Sequence, residues 1–189
     1  MVLRTPKFVN ALAYGPAVIN TEFVTQCLET NELLDPSAFP LVDKASESKY
    51  KFTISDATAR AKANKNKLLK GYHVCCTETI RGGYDTFRSI VVSNGGECVL
   101  FRGRLALPNS FRHEGDDEST NHGQKEVYLL TGATAEQTKL WPRFRQMVQD
   151  MNKIPRIVRI DWLLDIAMSQ KLLAADGYEL DDDNIKMVE

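Results

Sequence analysis

The chain has 189 residues, of which 43% are apolar and 26% are charged, values typical of a soluble globular protein. Its formal net charge of -1 argues against a general nucleic-acid-binding protein, a class that usually carries a large excess of Lys and Arg. No stretch approaches the roughly 20 apolar residues that a membrane-spanning helix requires, so no membrane partner is predicted.

The four cysteines do not form a metal-binding pattern. No two of them have Cys-x-x-Cys spacing, and the three histidines lie far apart, so we predict neither a metal site nor a cofactor. Cys75, Cys76 and Cys98 lie in apolar runs, where cysteine acts as a small buried hydrophobic residue. This use of cysteine indicates a reducing compartment inside the cell.

Residues 1–44, the first unit, are predicted to contain a helix, a short strand and a second helix. Thr5 can cap the first helix, residues 5–13, because a proline follows it and the apolar side chains share one face. The apolar run at residues 17–19 predicts a short buried strand. Phe23 belongs to the apolar stripe of the helix that comes next.

Residues 45–68 are predicted to be a polar linker between two folded units. They are rich in Lys, Ser, Ala and Asn and poor in large apolar side chains, although the pattern from Ser55 onward also fits a helix. The segment from Arg60 to Lys70 contains five basic residues and no acidic one. Such a run is usually solvated surface. The functional alternative is that it makes a weak contact with DNA.

Residues 69–183, the second unit, are predicted to form a complete α/β domain followed by a tail at 184–189. Continuous apolar strands separated by helices favour a small parallel sheet flanked by helices. A surface insertion rich in Pro, Gly, Asn and acidic residues is predicted at 105–125. The predicted order is strand, helix, strand, strand, helix, strand and helix, at residues 72–76, 84–93, 97–101, 126–131, 138–151, 157–160 and 161–171.

The two units share an internal repeat. The helix–strand–helix order of residues 5–34 recurs at residues 138–173, and the segment from Ala17 to Phe23 parallels that from Ile157 to Trp162. Two copies imply two similar domains. The first unit therefore corresponds to the second half of such a domain.

Three residues of the second unit carry a family likeness. Gly95-Gly96 follows its first helix and Trp162 lies in its last one, and in this element order they resemble the BRCT repeat family. The resemblance implies that the glycines form a tight turn and that the tryptophan packs in the core. In the first unit, a truncated repeat, Phe23 replaces that tryptophan. These marks concern the fold and say little about a ligand.

A functional motif lies near the beginning of the chain. Arg4-Thr5-Pro6-Lys7-Phe8 resembles the Arg-Thr-x-Lys-aromatic motif of phosphopeptide-binding tandem BRCT modules. The resemblance implies that Arg4, Thr5 and Lys7 bind a phosphopeptide. Lys7 would contact the phosphate at a helix N-terminus, and Arg4 would hold the ligand's main chain or terminal carboxylate. The alternative is two solvated basic residues in the first turn of a helix.

The same resemblance implies a specificity pocket for the residue three positions after the phosphate. Its walls would be Phe8 and Val9, the loop Arg81-Gly82-Gly83-Tyr84, and Ile160 and Leu164. These residues could equally form the core between the repeats. The family's phosphate-binding Ser or Thr and its adjoining Gly lie on a first strand that residues 1–44 do not contain. As written, the phosphate pocket is incomplete, which implies either a segment before Met1 or the loss of tight phosphate binding.

The segment from Leu3 to Leu12 further resembles the C-terminal BRCT pair of fungal multi-BRCT DNA-damage scaffolds. This likeness implies a non-catalytic nuclear scaffold that reads a phosphorylated protein, such as the phosphorylated tail of a histone of the 2A class. The alternative is a BRCT module that binds proteins or DNA ends without regard to phosphate. The basic run and the missing half-repeat favour that alternative.

An enzyme is the third hypothesis, and the residues argue against it. The two Gly-Gly pairs lack the G-x-G-x-x-G spacing of a nucleotide-binding loop. His73 and Cys75 share one face of a strand, but their apolar setting offers no orienting carboxylate. Asp161 and Asp165, one helical turn apart, fit a cap and a solvated face. We predict no catalytic residue.

Overall fold

A computed structural model describes residues 2–104 and 125–181, and its centre is a parallel sheet. The strands are β1 (His73–Thr77), β2 (Glu97–Phe101), β3 (Glu126–Thr131) and β4 (Ile154–Arg159), in the order β2-β1-β3-β4. Every pairing is parallel. The α/β class and the parallel sheet flanked by helices are confirmed. The predicted insertion lies outside the described residues except for Lys125, and so does the predicted tail.

The segment before the sheet contains four helices. They are α1 (Pro6–Leu12), α2 (Glu22–Thr30), α3 (Lys44–Tyr50) and α4 (Ile54–Asn64), with a 3-10 turn at Pro36–Ala38. Thr5 caps α1 as predicted, since its hydroxyl accepts a hydrogen bond from the Phe8 amide at 3.3 Å. Among the described residues there is no helix with the length and apolar character of a membrane span.

The described residues from 73 onward contain four more helices. They are α5 (Tyr84–Ser93), α6 (Ala135–Thr138), α7 (Trp141–Gln149) and α8 (Ile160–Ser169). The helix predicted at 138–151 is present as the shorter α7, and the separate short helix α6 that precedes it was not predicted. Pro142 lies in the first turn of α7, where its missing N–H costs little, and the same residue deeper in a longer helix would break the hydrogen-bond ladder.

The strand predicted at residues 17–19 is also wrong. Ile19 forms an isolated antiparallel bridge with Pro40, supported by the Asn20 amide donating to the Phe39 carbonyl at 3.0 Å. Within the described residues this segment has no parallel neighbour of the kind that β4 finds in β3. The apolar residues 17–19 are therefore extended, but they do not belong to a sheet, since apolar character alone does not supply a neighbouring strand.

The second helix of the first unit lies largely on the surface. α2 buries none of its residues, and the Leu28 side chain is 76% exposed. Phe23 is half-buried and packs edge-on against Phe39, with ring centroids 5.6 Å apart. Phe23 therefore lacks the enclosed setting of its counterpart Trp162, which is fully buried.

The segment predicted as a polar linker folds into α3 and α4. Ile54, Ala57 and Ala61 are buried on one side of α4, which packs against α1 and α8. The segment also holds the beginning of the chain, because one carboxylate oxygen of Asp43 accepts a hydrogen bond from the Val2 amide at 2.5 Å. Hydrogen bonds from the Ser46 side chain and backbone, followed by that from Val2, lower the pKa of Asp43 to about 2. The division of the chain at residues 44 and 68 stays a prediction.

The sheet separates two apolar clusters because successive side chains of a strand point to opposite faces. On one face, Trp162 of α8 stacks on Tyr128 of β3 with ring centroids 4.2 Å apart, and its indole N–H donates to the Leu173 carbonyl at 3.1 Å. On the other face, Trp141 and Phe144 of α7 cover the sheet. The helices that carry the candidate site all belong to the first face.

Gly95 and Gly96 lie in the turn between α5 and β2. Gly95 has φ +84°, a backbone conformation that side chains disfavour. At Gly96 an added Cβ would lie 2.8 Å from the Val91 Cγ1 atom and 3.0 Å from the Leu69 Cβ atom. The first position therefore needs glycine for its backbone angle and the second for close packing.

Candidate functional site

The first turn of α1 lies at the junction with α5 and α8, two helices that flank the sheet. α1 packs on α5 and α8, and Val9 is fully buried in this contact. The Asn10 side chain donates to the Ser89 hydroxyl at 2.9 Å and accepts from the Ser93 hydroxyl at 3.2 Å. These contacts fix α1 relative to the sheet, so the residues of its first turn have a defined position at the junction with the repeat.

Arg4 is the best-anchored residue of the predicted motif. Its Nη2 atom lies 3.4 Å from a carboxylate oxygen of Asp161 and 3.1 Å from one of Asp165. The guanidinium also lies 5.7 Å from the centre of the Tyr50 ring. The side chain is 17% exposed, so Arg4 bridges the start of α1 and the first turns of α8.

Lys7 has a different setting. The side chain is exposed and makes no ion pair with any residue in 2–104 or 125–181. Thr5, also exposed, uses its hydroxyl as the cap of α1. Among the described residues, the motif therefore has one cation held by carboxylates, Arg4, and one exposed cation without an ion pair, Lys7.

The residues of the predicted specificity pocket lie on three neighbouring elements. Phe8, Ile160 and Leu164 are half-buried and pack against the same apolar cluster. Val9 is fully buried and offers no surface to a ligand. α5 begins at Tyr84, the last residue of the predicted loop, and Ile160 and Leu164 lie on α8. α1 contacts both of these helices.

The predicted loop lies at the edge where β1 ends and α5 begins. Arg81, Gly82 and Gly83 are exposed, and the two glycines have φ of +102° and +83°. An added Cβ at Gly83 would meet no atom within 4 Å. The Tyr84 hydroxyl turns toward β2 and donates to the Cys98 carbonyl at 3.3 Å. The open backbone of the loop, rather than Tyr84, is its accessible part.

Sequence reasoning missed the partners of Arg4. It took Asp161 and Asp165 as a cap and a solvated face, but α8 begins at Ile160 and has no side-chain cap. Asp165 also accepts a hydrogen bond from the Tyr178 hydroxyl at 2.8 Å. The spacing of the two acids was visible in the sequence. Their pairing with a residue more than 150 positions away was not.

The five basic residues between Arg60 and Lys70 do not all lie on the surface. Arg60 turns inward, where its Nε donates to the Ser169 carbonyl at 2.8 Å. Lys62, Lys65, Lys67 and Lys70 are exposed on the end of α4 and the turns that follow. Four of the five basic residues therefore remain available on the surface.

The alternative catalytic pair has no activated nucleophile. Burial raises the pKa of the Cys75 thiol, and burial lowers the pKa of His73. Cys76 lies 3.6 Å from Cys98, sulfur to sulfur, and this contact and burial raise the pKa of Cys76. Within the described ranges, no three His, Cys, Asp or Glu residues are grouped as metal ligands.

Comparison with known proteins supports the same family throughout. The family model described as "Regulator of Ty1 transposition protein 107 BRCT domain" matches residues 1–41. BRCT-containing protein 1 of Schizosaccharomyces pombe is 31% identical over 176 residues, which cover 90% of this chain and 19% of that protein. Human mediator of DNA damage checkpoint protein 1 is 26% identical over 111 residues, 59% of this chain and 5% of that protein. The chain thus spans at most about a fifth of these relatives.

Two solved structures share the fold. The BRCT5-BRCT6 domains of S. pombe Brc1 superpose with a TM-score of 0.70 at 27% identity, covering 97% of this chain and 81% of that one. A complex of Rtt107p with a phosphorylated histone of the 2A class gives a TM-score of 0.61 at 18% identity, covering 95% and 73%. The second likeness concerns the fold alone.

Proposed function

We propose a function from one premise: this chain belongs to the BRCT repeat family and resembles the C-terminal pair of its fungal multi-BRCT scaffolds. The proposed function is that of a non-catalytic nuclear module that binds a phosphorylated protein tail. The chain is similar to DNA-damage proteins, and a protein of the same fold has been seen with a phosphorylated histone of the 2A class. A phosphorylated histone tail of the SQ type is therefore the ligand we favour.

The observation that carries this proposal is that two carboxylates hold Arg4 in place, while Lys7 nearby is exposed and has no ion pair among the described residues. Every contact of the Arg4 guanidinium with Asp161 and Asp165 uses its Nη2 atom, so Nη1 keeps its hydrogens for a ligand carbonyl or carboxylate. Lys7 lies one helical turn further along and supplies a full positive charge, which suits a phosphate. The partly buried Phe8 and the open loop at Gly83 would border the residues that follow the phosphate.

We expect Lys7→Ala to weaken binding of a peptide ending in phosphoserine-Gln-acidic-apolar by about tenfold or more, because a charge-assisted hydrogen bond to phosphate is lost. Fluorescence anisotropy of the labelled peptide measures the change. Lys44→Ala is the matched control, since Lys44 is an exposed lysine in the first turn of another helix. Equal affinity of Lys7→Ala and Lys44→Ala for the phosphopeptide would remove Lys7 from the site.

A phosphate-independent BRCT module is the second candidate. The observation in its favour is the exposed set Lys62, Lys65, Lys67 and Lys70, which could contact DNA or an acidic protein surface. This alternative expects Lys7→Ala to leave binding unchanged, whereas the phosphopeptide hypothesis does not.

A further inference from the structure

A cavity of about 460 Å³ lies between α3, α4 and α8, on the side of Arg4 that faces the former linker segment. Its volume falls in the range of small-ligand pockets. Its charged lining residues are Arg4, Arg60, Lys49, Lys51, Lys171 and Asp165. The residues predicted for the peptide site, Arg4 apart, are not among them.

The lining of this cavity is strongly cationic. It contains three lysines and two arginines against one acid, Asp165. That acid is already engaged by Arg4 and by the Tyr178 hydroxyl. In the part of the chain that the structure describes, Lys49, Lys51 and Lys171 pair with no carboxylate. Arg4 is paired with Asp161 and Asp165, whereas the charge of the three lysines has no carboxylate partner among the described residues. An anion would relieve the repulsion between them.

The geometry around Arg60 adds a directed donor. Its Nε is held by the Ser169 carbonyl at 2.8 Å, which fixes the guanidinium plane at the wall of the cavity. Its two terminal nitrogens make no hydrogen bond with a described residue. A guanidinium held in this way presents two parallel N–H groups, the arrangement that suits a phosphate.

We propose that this cavity is a second anion site, which takes a phosphate group separately from the surface around Lys7. Arg60 supplies the directed donors, and the lysines supply point charges around them. Tyr50, Leu173 and Tyr178 also line the cavity, so a ligand with an apolar part beside its phosphate fits there. The phosphate can belong to a partner protein or to a free small molecule, and the two sources are distinguished below.

The test uses inorganic pyrophosphate as the probe and amide chemical shifts of the whole chain as the readout. We expect saturable shifts at Tyr50, Leu173 and Tyr178. The double variant Lys49→Gln/Lys171→Gln should bind pyrophosphate about tenfold more weakly, because two of the cavity's cations are removed. The control Lys44→Gln/Lys139→Gln removes the same charge from sites outside the cavity and should bind as the wild type does.

Equal affinity of the two double variants, shifts confined to other surfaces, or no saturable shift would each overturn the proposal. Lys7→Ala should leave the shifts in the cavity intact, so failure of the phosphopeptide hypothesis and failure of this one are separable. Two outcomes then identify the source of the phosphate. Weaker binding of a doubly phosphorylated peptide by Lys49→Gln/Lys171→Gln indicates a partner protein, and unchanged peptide binding indicates a free phosphorylated molecule.

Discussion

Replacing Trp162 by Ala should lower the free energy of unfolding by about 3–5 kcal/mol, the range for removing a large buried aromatic side chain. The indole is fully buried and stacks on Tyr128 with the ring planes only 10° apart. Its N–H also ties the Leu173 carbonyl, which belongs to the segment after α8. Removing it leaves a cavity under α8 and an unsatisfied carbonyl. Urea denaturation followed by circular dichroism measures the loss.

Trp162→Phe is the matched variant for this experiment. It keeps an apolar ring against Tyr128 and loses the hydrogen bond and part of the volume, so we expect a smaller loss of about 1–2 kcal/mol. A loss below about 1 kcal/mol for Trp162→Ala would contradict the packing described here, because such small changes are typical of surface substitutions.

Replacing Gly95 by Ala should destabilise the protein by at least about 2 kcal/mol. Two effects combine at this position. The backbone has φ +84°, and an added Cβ would collide with the Asn66 carbonyl oxygen in the turn that precedes β1. Because that obstacle is backbone, it cannot turn away as a flexible side chain could. Thermal or urea unfolding of the variant measures the cost.

Gly83→Ala separates the two effects. Gly83 has nearly the same φ, +83°, with ψ 147°, and an added Cβ there meets open space. We therefore expect Gly83→Ala to cost about 1–3 kcal/mol from the backbone conformation alone, and Gly95→Ala to cost more because of its added collision. Equal destabilisation by the two variants would show that the contact with Asn66 is relieved by a small shift of the turn.

The sheet was predictable because its strands are continuous apolar runs. His73, Cys75 and their neighbours could be assigned to a strand, and the observed β1 is shifted by one residue from the prediction. The Gly95 turn and the core position of Trp162 were expected from the family resemblance, whose marks are residue types that backbone geometry or packing demands. These are properties of short segments, which a sequence displays directly.

The first helix of the supposed linker, α3, was missed, and α4, which the pattern from Ser55 onward allowed, was not recognised as part of the core. The reason is that most of their buried residues are small. Ala57 and Ala61 lie one helical turn apart and are almost fully buried, but alanine gives a weak signal of burial. Ile54, three residues before Ala57, completes the spacing and was the available clue. The cationic cavity depends on these helices, so it could not have been inferred before they were placed.

The position of α1 depended on contacts that no local pattern reveals. Arg4 could be chosen as a site residue by its motif, but its carboxylate partners come from α8, at the other end of the described chain. Val9, predicted as a pocket wall, is instead enclosed between α1 and the repeat. Sequence patterns assign residues to elements, whereas tertiary packing decides which face reaches a ligand.

The central hypothesis, recognition of a phosphorylated tail, is tested most directly by the wild-type chain and one pair of peptides. Anisotropy titrations should compare a histone-type peptide ending in phosphoserine-Gln-acidic-apolar with its unphosphorylated twin. We predict that the phosphorylated peptide binds about tenfold or more tightly and that the difference shrinks as salt is added, because screening weakens exposed charge pairs. Equal affinity for the two peptides would contradict the hypothesis and identify a phosphate-independent module.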